Sequence, residues 1–175
     1  MVTLGRMQRI LIIVMLVLTP VLALAALDKP LMRGARVAFL GITFIDTSTE
    51  GAYNGERPDQ TARTRLLEET TRQRFRDEGF VILANDPIAE ELARTTNPAD
   101  CYGCELRMAE RLGADYVLVG EVQKVSNLIL SMNLVLTDVK TGVTLRALAV
   151  DIRSNTDESW LRGINYIMKN HFFKS

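Results

Sequence analysis

The sequence has little of what most enzyme sites are built from. One histidine, His171, and two cysteines, Cys101 and Cys104, occur in 175 residues. Nucleophilic catalysis by a histidine-activated side chain needs an orienting carboxylate and a nucleophile close by. His171 lies instead at the carboxyl end of a predicted last helix beside Lys169 and Lys174, where the helix dipole favours a cation. Zinc takes about four ligands, and two cysteines with one histidine leave that set short. Haem attachment requires a histidine directly after the second cysteine, and that residue is Glu105. An excess of one charge is missing too, with 21 Lys+Arg against 21 Asp+Glu. That balance gives no electrostatic case for nucleic acid or an anionic membrane surface. The residues therefore point to a non-enzymatic protein with no metal and no cofactor.

The amino terminus is the first positive feature. Arg6 and Arg9 precede an apolar run from Ile10 to Leu18, and after Thr19 and Pro20 the chain stays uncharged from Val21 to Leu27. A basic start, an apolar stretch and small residues at Ala23 and Ala25 are the parts of a cleavable export signal, with Pro20 breaking the helix ahead of the cleavage segment. Residues 1–25 are expected to be the signal and 26–175 a single exported domain. The alternative is an uncleaved inner-membrane anchor, since Ile10 to Leu27 approaches the roughly 20 apolar residues of a spanning helix. No cysteine follows Ala25, so lipidation at that point is not expected. Loss of Arg6 and Arg9 takes the balance to about −2. Roughly 150 remaining residues suit one domain.

Along the rest of the chain, the patterning predicts an α/β (α+β) fold in the order β-α-β-α-α-β-β-β-α. Ala35 to Ile45 is a nearly continuous apolar run, as in a strand covered on both faces. Asp46 to Asp59, with two glycines and a proline, reads as a long irregular loop. Gln60 to Glu78 is helix-forming, with Asp59 placed to cap it and Gly79 to end it. Phe80 to Leu83 is a short strand, and Asp86-Pro87 reads as the cap and first position of a helix through about Arg94. A further helix runs from Cys101 or Cys104 to Leu112.

Asp115 to Lys124 reads as a strand. Leu128, Leu130, Met132, Leu134 and Leu136 then alternate as one face of a half-buried antiparallel strand. A turn at Asp138 to Gly142 returns the chain as Val143 to Arg153. The last helix, Asp157 to Asn170, gathers Trp160, Leu161, Ile164, Ile167 and Met168 on one face behind a cap at Asn155 or Thr156. The expected product is a mixed sheet of about five strands, in order 2-1-3-4-5, ending in an antiparallel meander. Trp160, Phe172 and Phe173 read as core residues.

Two segments carry the candidate chemistry. Cys101-Tyr102-Gly103-Cys104 stands at the start of a predicted helix, a place where thiol redox sites occur because the helix end lowers a thiolate pKa. Asp100 and Glu105 flank the pair with negative charge, and an exported chain favours a short structural disulfide. Both roles remain open, structural disulfide and redox centre. The second segment is the loop after the first strand. It sits where partners and ligands dock on open α/β sheets, at the carboxyl ends of the strands. Asp46, Glu50, Tyr53, Asn54 and Glu56 are its candidate partner-binding residues. The acidic residues match no calcium-loop spacing.

The stretch from Leu112 to Val125, LGADYVLVGEVQKV, with Asn133 to Gly142, NLVLTDVKTG, resembles a periplasmic domain shared by the amino-terminal part of TolB, the curli-secretion protein CsgG and the penicillin-binding-protein activator LpoB. The order of elements agrees with that domain. The CxGC pair with GADYVLVGEVQKVSNLIL also resembles a family of small secreted bacterial proteins of unknown function, some of them associated with gene neighbourhoods for periplasmic quinoprotein alcohol oxidation. The resemblance implies a periplasmic location and a partner-binding role, with an envelope protein as the partner. A redox accessory using Cys101 and Cys104 is one alternative, and a small-ligand binder with a pocket at the mouth of the first strand is another.

Overall fold

The computed structural model describes residues 30–55 and 57–174. The expected signal and its cleavage point lie outside these residues. The chain divides into two units, Met1–Leu31 and Met32–Ser175, and the description below concerns the second.

β1 (Arg36–Asp46) is the apolar run anticipated from the sequence. It is followed by α1 (Thr49–Asn54), α2 (Pro58–Asp77) and β2 (Val81–Ile82). A 3-10 turn at Asp86–Ile88 leads into α3 (Ala89–Arg94), and another at Pro98–Asp100 precedes α4 (Cys104–Arg111). The meander is β3 (Tyr116–Ser126), β4 (Ile129–Asp138) and β5 (Thr144–Ile152). α5 (Asp157–Ile167) and a π-helical turn at Met168–Phe172 close the fold.

The five strands form one sheet in the order β2-β1-β3-β4-β5. β1 is parallel to β2 and β3, and the meander is antiparallel. The predicted class and strand order are those of the structure, which adds α1 to the predicted order of elements. Alternation along β1 sends residues to two helical layers. Ala38 and Leu40 join Val117 and Val119 beneath Met108 and Ala109 of α4. Phe39 meets Arg72 of α2, whose guanidinium sits 4.6 Å from the ring centre, and Phe44 meets Trp160 of α5. Between Phe39 and Ile42 the register with β3 shifts. Gly41 makes this bulge at φ +101°, and the freed Ile42 N–H donates to Glu68 Oε1 at 2.9 Å. A Cβ at Gly41 would stand 2.8 Å from that carboxylate oxygen, so both backbone and space call for glycine.

Four local expectations are corrected. The Asp46 to Asp59 segment is not wholly irregular, because Ser48 caps a helical turn there: its Oγ accepts from Gly51 N at 3.1 Å. Asp59 does not cap α2. Arg57 holds the cap position with no side-chain bond, Pro58 opens the helix, and Asp59 lies in the first turn. Leu128 is 73 % exposed in the β3–β4 turn rather than inside β4, while Leu130, Met132, Leu134 and Leu136 are buried as their alternation requires. Asn85, not Asp86, precedes the 3-10 turn.

The far end of α2 rests on aromatic packing. Phe75 has edge-on contacts with Phe80, Phe172 and Phe173, at centroid distances of 5.5, 6.3 and 5.0 Å. Trp160 and Phe172 are core residues, as read from the sequence.

Candidate functional site

At the carboxyl end of β1 the parallel pairing places Asp46 opposite Lys124 of β3. The Lys124 side chain is fully buried. Its Nζ donates to Asp46 Oδ2 and to Glu50 Oε2, both at 3.0 Å. Asp46 uses its other oxygen for Ser48, accepting from the amide at 2.9 Å and the hydroxyl at 2.5 Å. Glu50 Oε2 also accepts from Asn127 Nδ2 at 2.8 Å, and its Oε1 from Arg57 Nη1 at 2.7 Å. Thr47 fastens the same corner, its amide and hydroxyl both donating to the Lys124 carbonyl.

The network continues along the head of α2. Arg57 Nε donates to Asp59 Oδ1 at 3.0 Å, and Arg63 Nη1 to Asp59 Oδ2 at 2.9 Å. Arg63 Nε then reaches Asp157 at the start of α5 at 2.8 Å. Asn155 ties this side together, accepting from Trp160 Nε1 at 3.0 Å and donating to Asn127 Oδ1 at 3.3 Å. The bonds between arginine or lysine and a carboxylate are charge-assisted and stronger than the neutral ones through Asn155. They join five elements around the mouth of the sheet.

Opposing effects set the titration of the buried members. Burial alone would raise the Asp46 pKa, but hydrogen bonds from Ser48 and Lys124 outweigh it and hold Asp46 below the ordinary carboxylate value. Burial would lower Lys124, and its bonds to Asp46 and Glu50 reverse that, so its pKa is raised. Bonds from Lys124 and Asn127 pull Glu50 down against its partial burial. The cluster is thus fixed in its charged form near neutrality and is poorly suited to proton transfer.

The sequence-selected residues of this segment fall into two groups. Asp46 and Glu50 turn inward to Lys124. Tyr53, 85 % exposed, and Asn54, also exposed, stand on the outer side of α1. Glu56 lies outside the described residues. Gly51 is required for the inward group, because a Cβ there would stand 2.3 Å from the Asp46 carboxyl carbon.

A cleft of about 520 Å³ opens beside the network, lined by Thr43, Phe44, Arg57, Gln60, Thr61 and Thr96 among others. Gln60 is 1 % exposed, and both of its side-chain polar atoms lack a hydrogen-bond partner among the described residues. An orphaned buried polar group costs on the order of 1–3 kcal/mol.

Cys101 and Cys104 lie on the other side of the sheet at the start of α4, joined as a disulfide with a Cα–Cα distance of 5.4 Å. Cys104 and Cys101 pack against the Met108 cluster. The Glu105 carboxylate is 3.2 Å from Cys101 Sγ, a negative charge where a reactive thiolate would need a positive one. Tyr102 between them is 96 % exposed. His171 Nε2 is 3.1 Å from the Ala147 carbonyl of the edge strand β5.

Sequence reading missed Lys124 and Gln60. Lys124 shares the inward phase of Gly120 and Val122 along β3, so strand alternation alone flags it. Gln60 carries no such mark, being one polar residue among many at a helix start.

Residues 35–172 match the model of a family described as a protein of unknown function (DUF2380). The chain belongs to this DUF3280 family. Among solved structures, it is similar to the LpoB C-terminal domain from Salmonella enterica, with TM-score 0.53 and 15% identity over 72% of this chain and 87% of that one. The LpoB C-terminal domain from Escherichia coli gives TM-score 0.51 and 14% identity, covering 73% of this chain and 88% of that one. At these identities the likeness is one of fold. No curated protein matches the chain. Among the described residues, no helix is long and apolar enough to cross a membrane.

Proposed function

We propose that this chain is a non-enzymatic periplasmic accessory protein, an adaptor that presents α1 to a protein partner in the envelope. The observation that carries the reading is Tyr53, an aromatic side chain displayed almost fully to solvent on a helix whose inner side is fastened to a buried lysine. Tyrosine offers a large amphipathic contact with few torsions to freeze, which is why it recurs at interface hot spots. Asp46 and Glu50 hold the surface in shape, and Tyr53 and Asn54 touch the partner. The export-signal pattern of residues 1–25 and the LpoB-like fold support the location.

The test is an affinity pull-down from periplasmic extract, with and without reductant, using the wild type and a Tyr53→Ala, Asn54→Ala double variant. Recovery of one specific partner, reduced about tenfold or more in the variant, is expected. Equal recovery by both proteins removes α1 as the docking surface.

A further inference from the structure

The two edges of the sheet are unequal. β2 has 2 residues, too few to carry another strand, whereas β5 has 9. The first half of β5 is guarded. Its register with β4 shifts between Leu136 and Thr137, and its carbonyls at Leu145 and Ala147 accept from Arg146 Nη1 and His171 Nε2, at 2.7 and 3.1 Å. The second half is open. Alternate residues of an edge strand turn their backbone groups outward, so with the Ala147 carbonyl outward, the N–H and C=O of Ala149 and Asp151 lie along the same edge, where no described group bonds to them. Arg153 is next in phase, and its carbonyl accepts from Ser159 Oγ at 3.3 Å with a second lone pair left over. The side chains sort by face. Ile152 turns to α5, where a Cβ on Gly163 would stand 3.3 Å from its Cγ1. Ala147, Ala149, Asp151 and Arg153 turn the other way and are exposed. Asp151 and Arg153 make no ion pair and no side-chain hydrogen bond among the described residues. Clefts of about 390 and 570 Å³ flank this stretch, and both are lined by Asp151, Ile152 and Arg153.

We propose that a second copy of this chain pairs with this edge, β5 against β5 in antiparallel sense, with Asp151 of each copy opposite Arg153 of the other. Charge complementarity selects the occupant. An antiparallel copy reverses the order of an acid and a base two residues apart, so the stretch is its own complement, and opposite charges directly across a strand pair attract. Ile152 then lies on the two-fold axis, and each Asp151–Arg153 pair exchanges N–H···O bonds in both directions. The neighbouring two-fold register, Ala149 opposite Asp151, leaves both charges without a partner across the seam. It also brings Arg153 of the second copy to the Ala147 carbonyl that His171 already occupies. In the favoured register the five-stranded sheet is doubled across the axis and the pairing closes on itself. So short a contact makes a reversible dimer, with a dissociation constant of roughly 10–100 μM. The pairing uses no residue of α1, so it and the partner-binding reading fail separately.

The experiment is sedimentation equilibrium of the protein, purified as the cell processes it, from about 1 μM to about 1 mM, with amide hydrogen exchange read at both ends of that range. A monomer–dimer equilibrium is expected, with exchange at Asp151 and Arg153 slowed about threefold or more at the high concentration. Asp151→Arg and Arg153→Asp each set like charges against one another, and each is expected to weaken the dimer at least about tenfold. Mixed together, the two variants present complementary strands and are expected to associate at least as tightly as the wild type. That recovery also shows that both variants are folded. Should either fail to fold, the exchange measurement on the wild type decides alone. A monomer at every concentration overturns the inference and leaves this edge for a strand of another protein. A dimer whose Asp151 and Arg153 amides exchange no more slowly, a dimer that both substitutions leave unchanged, or folded variants that do not associate on mixing overturns it equally.

Discussion

Lys124 carries a charge at a position with no solvent exposure, and its stability consequences follow from the two carboxylates that face it. Lys124→Met keeps the length of the side chain but strands Asp46 in a half-buried corner. Removing one member of a buried pair typically costs 3–5 kcal/mol. A loss of about 3 kcal/mol is expected in urea unfolding, at the low end because Asp46 retains its bonds to Ser48. The sign of the pH dependence is fixed by the two shifts. Asp46 is depressed when folded, so its contribution is complete above 3.8 and is lost as pH falls through the folded value. Lys124 is raised when folded, so its contribution is complete below 10.5 and is lost as pH climbs through the folded value. Melting temperatures across pH should therefore show an acid limb in the wild type that is weaker in Asp46→Asn. Identical acid limbs would show that the pair contributes little. At this scale Lys124 was legible from strand phase alone, but its partners were not. They depend on which strand lies beside β3 and on the turn that swings Glu50 back, neither of which a local pattern encodes.

The elements themselves were more legible than their ends. β4 and α5 came directly from period-two and helical spacing, because each buries one face only. α1 was missed since its six residues include Gly51 and it buries no residue fully, leaving no apolar stripe to read. Ser48 was the available signal, a cap three residues ahead of the amide it binds. The disulfide belongs to this scale as well, because it fixes the turn into α4. Closing so short a loop is worth about 2 kcal/mol in the chain-entropy account. A Cys101→Ser, Cys104→Ser variant is expected to lose about that much stability while keeping partner recovery unchanged. With Glu105 beside Cys101, the reduction potential is expected below about −300 mV. A potential near those of catalytic oxidoreductases, with partner recovery lost in the variant, would move the protein to the redox-accessory reading and its association with quinoprotein alcohol oxidation.

For the molecule as a whole, α2 spans the fold, and its 20 residues make a rod about 30 Å long. Its first turns are held by ion pairs and hydrogen bonds around Arg57 and Arg63, its last by the Phe75 cluster. Polar, half-exposed ends open locally at lower cost than aromatic cores. Amide hydrogen exchange is expected to be fast over Thr49–Asn54 and slowest in β1, β3 and around Phe75; uniform protection across both ends would contradict this. Topology was legible because the helix between β1 and β2 and the helices between β2 and β3 require parallel neighbours, and the short turns after β3 and β4 require antiparallel ones. One edge of that sheet is β2 and the other is β5. Its carbonyls at Leu145 and Ala147 are occupied by Arg146 and His171. The histidine that offers no chemistry thus takes an acceptor that a stray strand would otherwise use, and that half of the sheet resists growing by addition of further chains into fibres.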